Sequence, residues 1–158
     1  MPTAPSIESV KNCVLASGLL IAALSPCIAA AGLGEPETSV KADVTQLRGS
    51  VTVTQHASYR LHEIQLPSRT LVREFATPGG SVFAVAWSGP AMPNLRQTLG
   101  AYFDNYTAAA KAAHGGHHRL LIRQSDLVVQ AAGHMRAFSG LAYLPSAIPR
   151  GVSVGDLK

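Results

Sequence analysis

Residues 82–87 have the sequence VFAVAW, an uninterrupted apolar run of the length of one strand. Apolar side chains occupy both alternating faces of this run, which predicts a central strand covered on both sides. Strand candidates at residues 51–54, 59–66 and 70–77 precede it, and the last two connections contain proline or glycine. Such connections favour hairpins and hence an antiparallel meander. We expect residues 70–77 to lie near an edge, because Arg73 and Glu74 put a charge on each face.

The clearest helix follows this strand. Residues 94–113 repeat apolar side chains at helical spacing, and Asn94 is placed to cap the N-terminus, with Gln97 three residues later. Gly115 and Gly116 provide a stop after it.

Shorter elements surround this strand and helix. Residues 39–48 predict a short helix that ends at Gly49. Further strands are expected at residues 119–123, 127–132 and 135–144, with a two-residue turn at Gly133-His134 between the last two. Strands, one long helix and then strands predict an α+β fold: a single small domain in which an antiparallel sheet has the helix packed on one face.

The first 31 residues have the pattern of a signal peptide. Lys11 precedes an apolar run at residues 13–24, Pro26 ends it, and Ala29-Ala30-Ala31 resembles a cleavage site. An uncleaved anchor is the alternative, because Glu8 weakens the positive flank. We expect export to the periplasm or the medium and no stable membrane span after cleavage. One globular domain then covers residues 32–158, with an extended C-terminal tail from about residue 145.

The amino-acid composition excludes several classes of protein and of functional site. The chain has 158 residues, of which 47% are hydrophobic and 14% charged, and this excludes a disordered protein. Both cysteines, Cys13 and Cys27, lie in the export segment, so the remaining chain has no disulfide, thiolate metal site or cysteine nucleophile. The net charge of +4 is spread over Lys and Arg residues that are never adjacent, and we therefore expect no nucleic-acid partner.

Several segments carry a family resemblance. The apolar strand continues as SGPAMPNLRQTLGAYF over residues 88–103, and this stretch resembles one in a family of exported proteobacterial proteins known as a domain of unknown function. Segments at residues 33–36, 59–63 and 133–138, which read LGEP, YRLHE and GHMRAF, fit the same pattern. The resemblance covers nearly the whole chain after residue 31. It implies export and one compact domain, and it implies no reaction, ligand or catalytic residue.

Histidines suggest one candidate site. His114, His117 and His118 surround two glycines after the helix, and such a segment can bend around zinc, copper or nickel. A polar loop with His114 near the negative end of the helix dipole explains the same residues without a metal. The sequence contains no phosphate-binding glycine loop or dinucleotide fingerprint, and we expect no cofactor.

A second candidate is a ligand cleft lined by Trp87, Met92, Tyr102 and His134. A central strand that leads through residues 89–93 into a helix can leave an aromatic cleft. The alternative is that Trp87 and Tyr102 fill the core between sheet and helix. His134 is expected to be exposed in its turn.

Catalytic patterns are not found in the sequence. No serine lies in a Gly-x-Ser-x-Gly frame, and the carboxylates Glu63, Glu74, Asp104 and Asp126 form no pair at a readable spacing. The sequence therefore favours a non-enzymatic exported binding or accessory module, whose partner is an unknown envelope protein or ligand. The alternatives are a small envelope enzyme or histidine-dependent metal-binding protein, and a structural protein that self-associates through a sheet edge.

Overall fold

The computed structural model describes residues 32–112 and 119–158, which contain one antiparallel sheet and three α-helices. The strands are β1 (Ser50–Gln55), β2 (Arg60–Gln65), β3 (Leu71–Ala76), β4 (Val82–Gly89), β5 (Arg119–Arg123), β6 (Val128–His134) and β7 (Ala137–Tyr143). They lie in the order β1-β2-β3-β4-β7-β6-β5, and each pair of neighbours is antiparallel. The helices are α1 (Val40–Gln46), α2 (Leu95–Leu99) and α3 (Phe103–Ala112). The α+β class predicted from the sequence is confirmed.

Strand β4 is the fourth of the seven strands, as its apolar run predicts. All its residues from Val82 to Trp87 are buried. Val85 and Trp87 pack on the helix side, whereas Phe83 and Ala84 pack on the other. Two consecutive residues share a face because the pairing with β3 shifts between Phe75 and Ala76, which is a β-bulge. Both faces of β4 are therefore covered.

Strand β3 is not near an edge, and that expectation was wrong. It lies between β2 and β4, and the edge strands are β1 and β5. Neither Arg73 nor Glu74 indicates a face of the sheet that is open to solvent. Glu74 is buried, and Arg73 Nε donates to Glu63 Oε1 on β2 at 3.0 Å. A charged residue predicts exposure only when it lacks a partner within the fold.

The long helix expected over residues 94–113 is divided into α2 and α3, and residue 113 lies outside the described residues. Asn94 does cap α2, because its side chain accepts a hydrogen bond from the Gln97 amide at 3.4 Å. Gly100 then adopts φ 52° and ψ −128°, and a short 3₁₀ turn leads into α3. The Leu33 amide donates to the Thr98 carbonyl at 3.2 Å beside this break. The segment at Leu33 therefore packs against the break between α2 and α3, where a continuous helix was expected.

The β6–β7 turn lies two residues further along than predicted. Gly133 pairs with Phe138 and His134 pairs with Ala137, so the turn residues are Met135 and Arg136. Arg136, the second of these turn residues, adopts a positive φ of 62°. Gly133 is needed for a different reason, since a Cβ there would lie 2.6 Å from Phe138 Cδ1.

The first helix begins and ends differently from the expectation at residues 39–48. A 3₁₀ turn at Glu37–Ser39 precedes α1, which ends at Gln46. Arg48 adopts φ 52°, whereas Gly49 leaves space for the side chain of Ile64. The glycine is therefore required by packing and not by the helix end.

The sheet separates two apolar clusters. The helix-side cluster contains Val72, Val85, Trp87 and Leu99, and the opposite cluster contains Phe75, Phe83, Leu141 and Leu157. The second cluster is covered by tail residues from Ala147 to Leu157. Two short 3₁₀ turns, Pro145–Ala147 and Val154–Asp156, lie in this tail. Leu157 near the chain end is 0% exposed. This tail covers only part of its face and leaves the surface over β5 and β6 open.

No helix within residues 32–112 or 119–158 is both long enough and apolar enough to cross a membrane.

Candidate functional site

The four residues of the expected ligand cleft do not line one cavity in the described part of the chain. Trp87 is 1% exposed and Tyr102 is half-buried, and both pack in or against the helix-side cluster. Met92 is 43% exposed, and His134 is exposed at the end of β6. His134 lines a cavity beside Gly89, whereas Met92 and Tyr102 line neither of the cavities described below.

The expected metal ligands His114, His117 and His118 lie outside the described residues, so the metal site stays a prediction. Within residues 32–112 and 119–158, no group of three or more His, Cys, Asp or Glu residues is placed to hold a metal ion.

An open groove crosses the sheet face opposite the helices. It consists of two adjoining cavities of about 740 and 800 Å³, which share Arg119, Ala132 and Ser139. The tail residue Leu157 borders the first cavity, and the second reaches the β6–β7 turn at Arg136. We call this surface the basic groove.

The strand register fixes the floor of the basic groove. One row across the sheet pairs Arg73 with Ala86, Ala86 with Leu141, Leu141 with Gln130, and Gln130 with Leu121. The next row follows Ser88, Ser139, Ala132 and Arg119 in the same way. The first row, from β3 to β5, crosses four strand spacings of about 4.8 Å, or about 19 Å in all. The floor is therefore mostly small or apolar, with arginines towards its two ends.

The charged side chains that line the basic groove are all cationic. Its cationic side chains are Arg73, Arg119, Arg123, Arg136 and Lys158, and none of the residues lining the two cavities is Asp or Glu. Arg73 is paired with Glu63, whereas Arg119, Arg123 and Arg136 make no ion pair with any described residue. His134 also lines the groove. A concave surface lined by charges of one sign attracts ligands of the other.

A second polar cluster lies beneath α1, on the helix side. Asp43 and Glu74 are each 1% exposed, and Asp43 Oδ1 accepts a hydrogen bond from Gln97 Nε2 at 2.6 Å. Burial and the adjacent charge of Asp43 raise the pKa of Glu74 well above its usual range. Burial also raises the pKa of Asp43, and the hydrogen bond from Gln97 opposes that rise. This carboxyl pair therefore retains a proton more readily than two exposed carboxyl groups would.

An ion-pair network extends this cluster towards the surface. Glu37 accepts hydrogen bonds from Arg60, and His62 Nε2 lies 2.8 Å from Glu37 Oε1. The hydrogen bond from Arg60 is the main reason that the pKa of Glu37 is lowered. His62 also stands directly opposite Glu74 across the β2–β3 ladder. The 3₁₀ turn before α1 is thereby fastened to β2.

The carboxyl pair lies apart from the basic groove. Neither Asp43 nor Glu74 lines either cavity, and both carboxyls are sealed below α1. Glu74 was interpreted from the sequence as an isolated carboxylate, because its partner, Asp43, is distant in the chain. A polar residue at an apolar position of a short helix, as Asp43 is, was the one available signal.

Together these features define a small α+β domain with an open basic groove on one face and a sealed polar cluster on the other. A family model described as a protein of unknown function, DUF2844, matches residues 29–157. The chain belongs to this family, which confirms the resemblance to a domain of unknown function. No curated protein and no solved structure matches the chain.

Proposed function

We propose that this chain is an exported, non-enzymatic binding module that holds an extended acidic segment of an envelope protein in the basic groove. One observation carries the proposal: among the described residues, five cationic side chains line the groove and no carboxylate side chain does. Export is supported by the signal-peptide pattern of residues 1–31.

Two arginines of β5 supply most of the attraction, because they have no ion-pair partner among the described residues. Arg119 and Arg123 are exposed on the groove side of β5 and have no carboxylate partner among the described residues. One exposed ion pair contributes only about 0–1 kcal/mol, so binding needs several such contacts together. Screening by salt then weakens the interaction.

The arrangement of charge favours a peptide segment. Arg73, which is paired with Glu63, lies at the β3 end of the row, and Arg119 and Arg123 flank Leu121 at the β5 end. Ala86, Leu141 and Gln130 lie between the two ends. A segment with acidic residues at both ends and small apolar residues between them matches this order. About six residues of extended chain at about 3.3 Å each span the row. An acidic polysaccharide, with a charge on each unit, would place charges over the apolar floor.

The test is a fluorescence-anisotropy titration of the full chain with a labelled, end-blocked peptide Glu-Ala-Val-Ala-Val-Glu. We expect saturable binding that weakens as salt is added. The double variant Arg119→Glu/Arg123→Glu should raise Kd at least about tenfold, which corresponds to about 1.4 kcal/mol. The matched variant Arg150→Glu alters an exposed arginine outside the groove and should leave Kd unchanged.

Two results would overturn the proposal. Equal affinity for the Lys-Ala-Val-Ala-Val-Lys peptide, or equal loss of affinity in Arg150→Glu, would show that the groove arginines do not select the ligand. Mass spectrometry of the peptide after incubation tests the non-enzymatic part. Cleavage or modification by the wild-type chain would assign it an activity instead.

A further inference from the structure

Strand β1 is an edge strand without the features that normally protect an edge. All six residues, SVTVTQ, are exposed, and none is charged or proline. Its pairing with β2 runs without a bulge from Ser50 to Gln55. The other edge differs, because β5 begins and ends with arginine. Charges, prolines and bulges are the usual means of preventing edge pairing.

The backbone groups of β1 that do not pair with β2 have no partner among residues 32–112 and 119–158, and they are arranged symmetrically. The His56 amide donates to the Tyr59 carbonyl at 2.9 Å, and bonding in an antiparallel ladder alternates along the strand. Thr54 and Thr52 therefore direct their amides to β2, and Val51, Val53 and Gln55 direct theirs outwards. This outward set is centred on Val53.

We infer that β1 pairs antiparallel with β1 of a second copy of this chain, with Val53 opposite its own counterpart on the twofold axis. In this register Val51 lies opposite Gln55 and Thr52 opposite Thr54, so every outward backbone group of β1 is bonded. The two sheets become one continuous sheet.

Two observations favour a second copy as the occupant. An uncharged strand can face itself, whereas directly opposed like charges destabilise a pair. The edge also exposes Val53 and Val51, which are 54% and 41% exposed on the helix side and would be covered across the twofold axis. The basic groove lies towards the opposite edge, so dimerisation and ligand binding use separate surfaces.

Mass measurement is the first test. Light scattering of the full chain after size exclusion should give twice the chain mass. Val53→Lys should abolish the dimer, because it places two ammonium groups opposite each other on the axis. Val53→Thr keeps a β-branched, uncharged residue and should remain dimeric. Circular dichroism of both variants should be unchanged, since the Val53 side chain is exposed.

Disulfide trapping then tests the register. The chain carrying Cys13→Ala and Cys27→Ala has no cysteine, so one introduced thiol gives a clear readout. Val53→Cys should cross-link on oxidation, because opposed residues of a bonded pair have Cα atoms about 5.5 Å apart. Thr52→Cys should not, because the two copies of residue 52 are diagonal neighbours at about 7–8 Å. A monomeric wild type, a dimer that survives Val53→Lys, or equal cross-linking at both positions would overturn the inference.

Discussion

Asp43 of α1 and Glu74 of β3 place two carboxyl groups together in the helix-side core, with 1% of each residue exposed. The pKa of Glu74 is raised well above its usual range by burial and by Asp43, and the pKa of Asp43 is raised by burial. Two adjacent buried carboxylates are strongly disfavoured. We therefore expect the folded pair to keep a proton at pH values where the unfolded chain has lost it.

Stability should consequently fall as the pH rises above the ordinary carboxyl range. A group whose pKa is raised on folding binds more protons when folded, so its contribution is complete below the unfolded pKa and is lost as pH approaches the folded pKa. The side chain in Glu74→Gln cannot ionise, so this variant should show a smaller decline of stability with pH, with the contribution of Asp43 remaining. Urea unfolding of both proteins from mildly acidic to alkaline pH measures the effect. Parallel pH curves would contradict it.

Glu37 should act in the opposite direction on the acid side. Its pKa is lowered, mainly by the hydrogen bond from Arg60, so its contribution is present above the unfolded pKa and lost as the pH falls through the folded pKa. Glu37→Gln should reduce stability near neutral pH and flatten the acid limb of the urea-unfolding curve. A variant that loses stability equally at every pH would show that Glu37 acts through packing alone.

Gly100→Ala tests the break between α2 and α3. An alanine has space at this position but must adopt φ 52° and ψ −128°, which favour glycine. We expect a loss of about 1–3 kcal/mol in the free energy of unfolding. Gly79→Ala is the matched control, because Gly79 has no positive φ and a Cβ there meets nothing closer than 3.6 Å. Equal stability of the two variants would contradict this role for Gly100.

Gly140→Ala tests the packing of β7 against the single tryptophan. A Cβ on Gly140 would overlap the indole of Trp87, which is 1% exposed and directly opposite in the register. Overpacking of this kind costs about 1–3 kcal/mol. Thermal unfolding measures the loss, and the fluorescence of Trp87 should shift. Wild-type stability with an unchanged spectrum would show that the indole has room to move.

The strands were predictable from the sequence because alternation and turn residues are local. β4 was expected at the centre from its apolar run alone, and β5 was expected at its observed bounds. Gly100 was not recognised as a break, because the apolar spacing continues through it into α3. The turn at Met135-Arg136 was missed because Gly133 is required by Phe138 rather than by a turn.

The candidate site was far less predictable. The floor of the basic groove takes residues from five strands, and only the sheet order brings Arg73 and Arg119 to one face. In sequence those arginines are scattered and resemble ordinary surface charge. Likewise, nothing local relates Asp43 to Glu74, and only tertiary contact makes them a pair.

The most direct test of the proposed binding site is the change in backbone amide NMR shifts when the full chain is titrated with the Glu-Ala-Val-Ala-Val-Glu peptide. We expect concerted shifts at Ser88, Gln130 and Ala132 on the groove floor, and no shifts at Lys41 or Thr45 on α1. Absence of shifts at the groove, or shifts confined to the helix side, would contradict the assignment of the basic groove as the binding site.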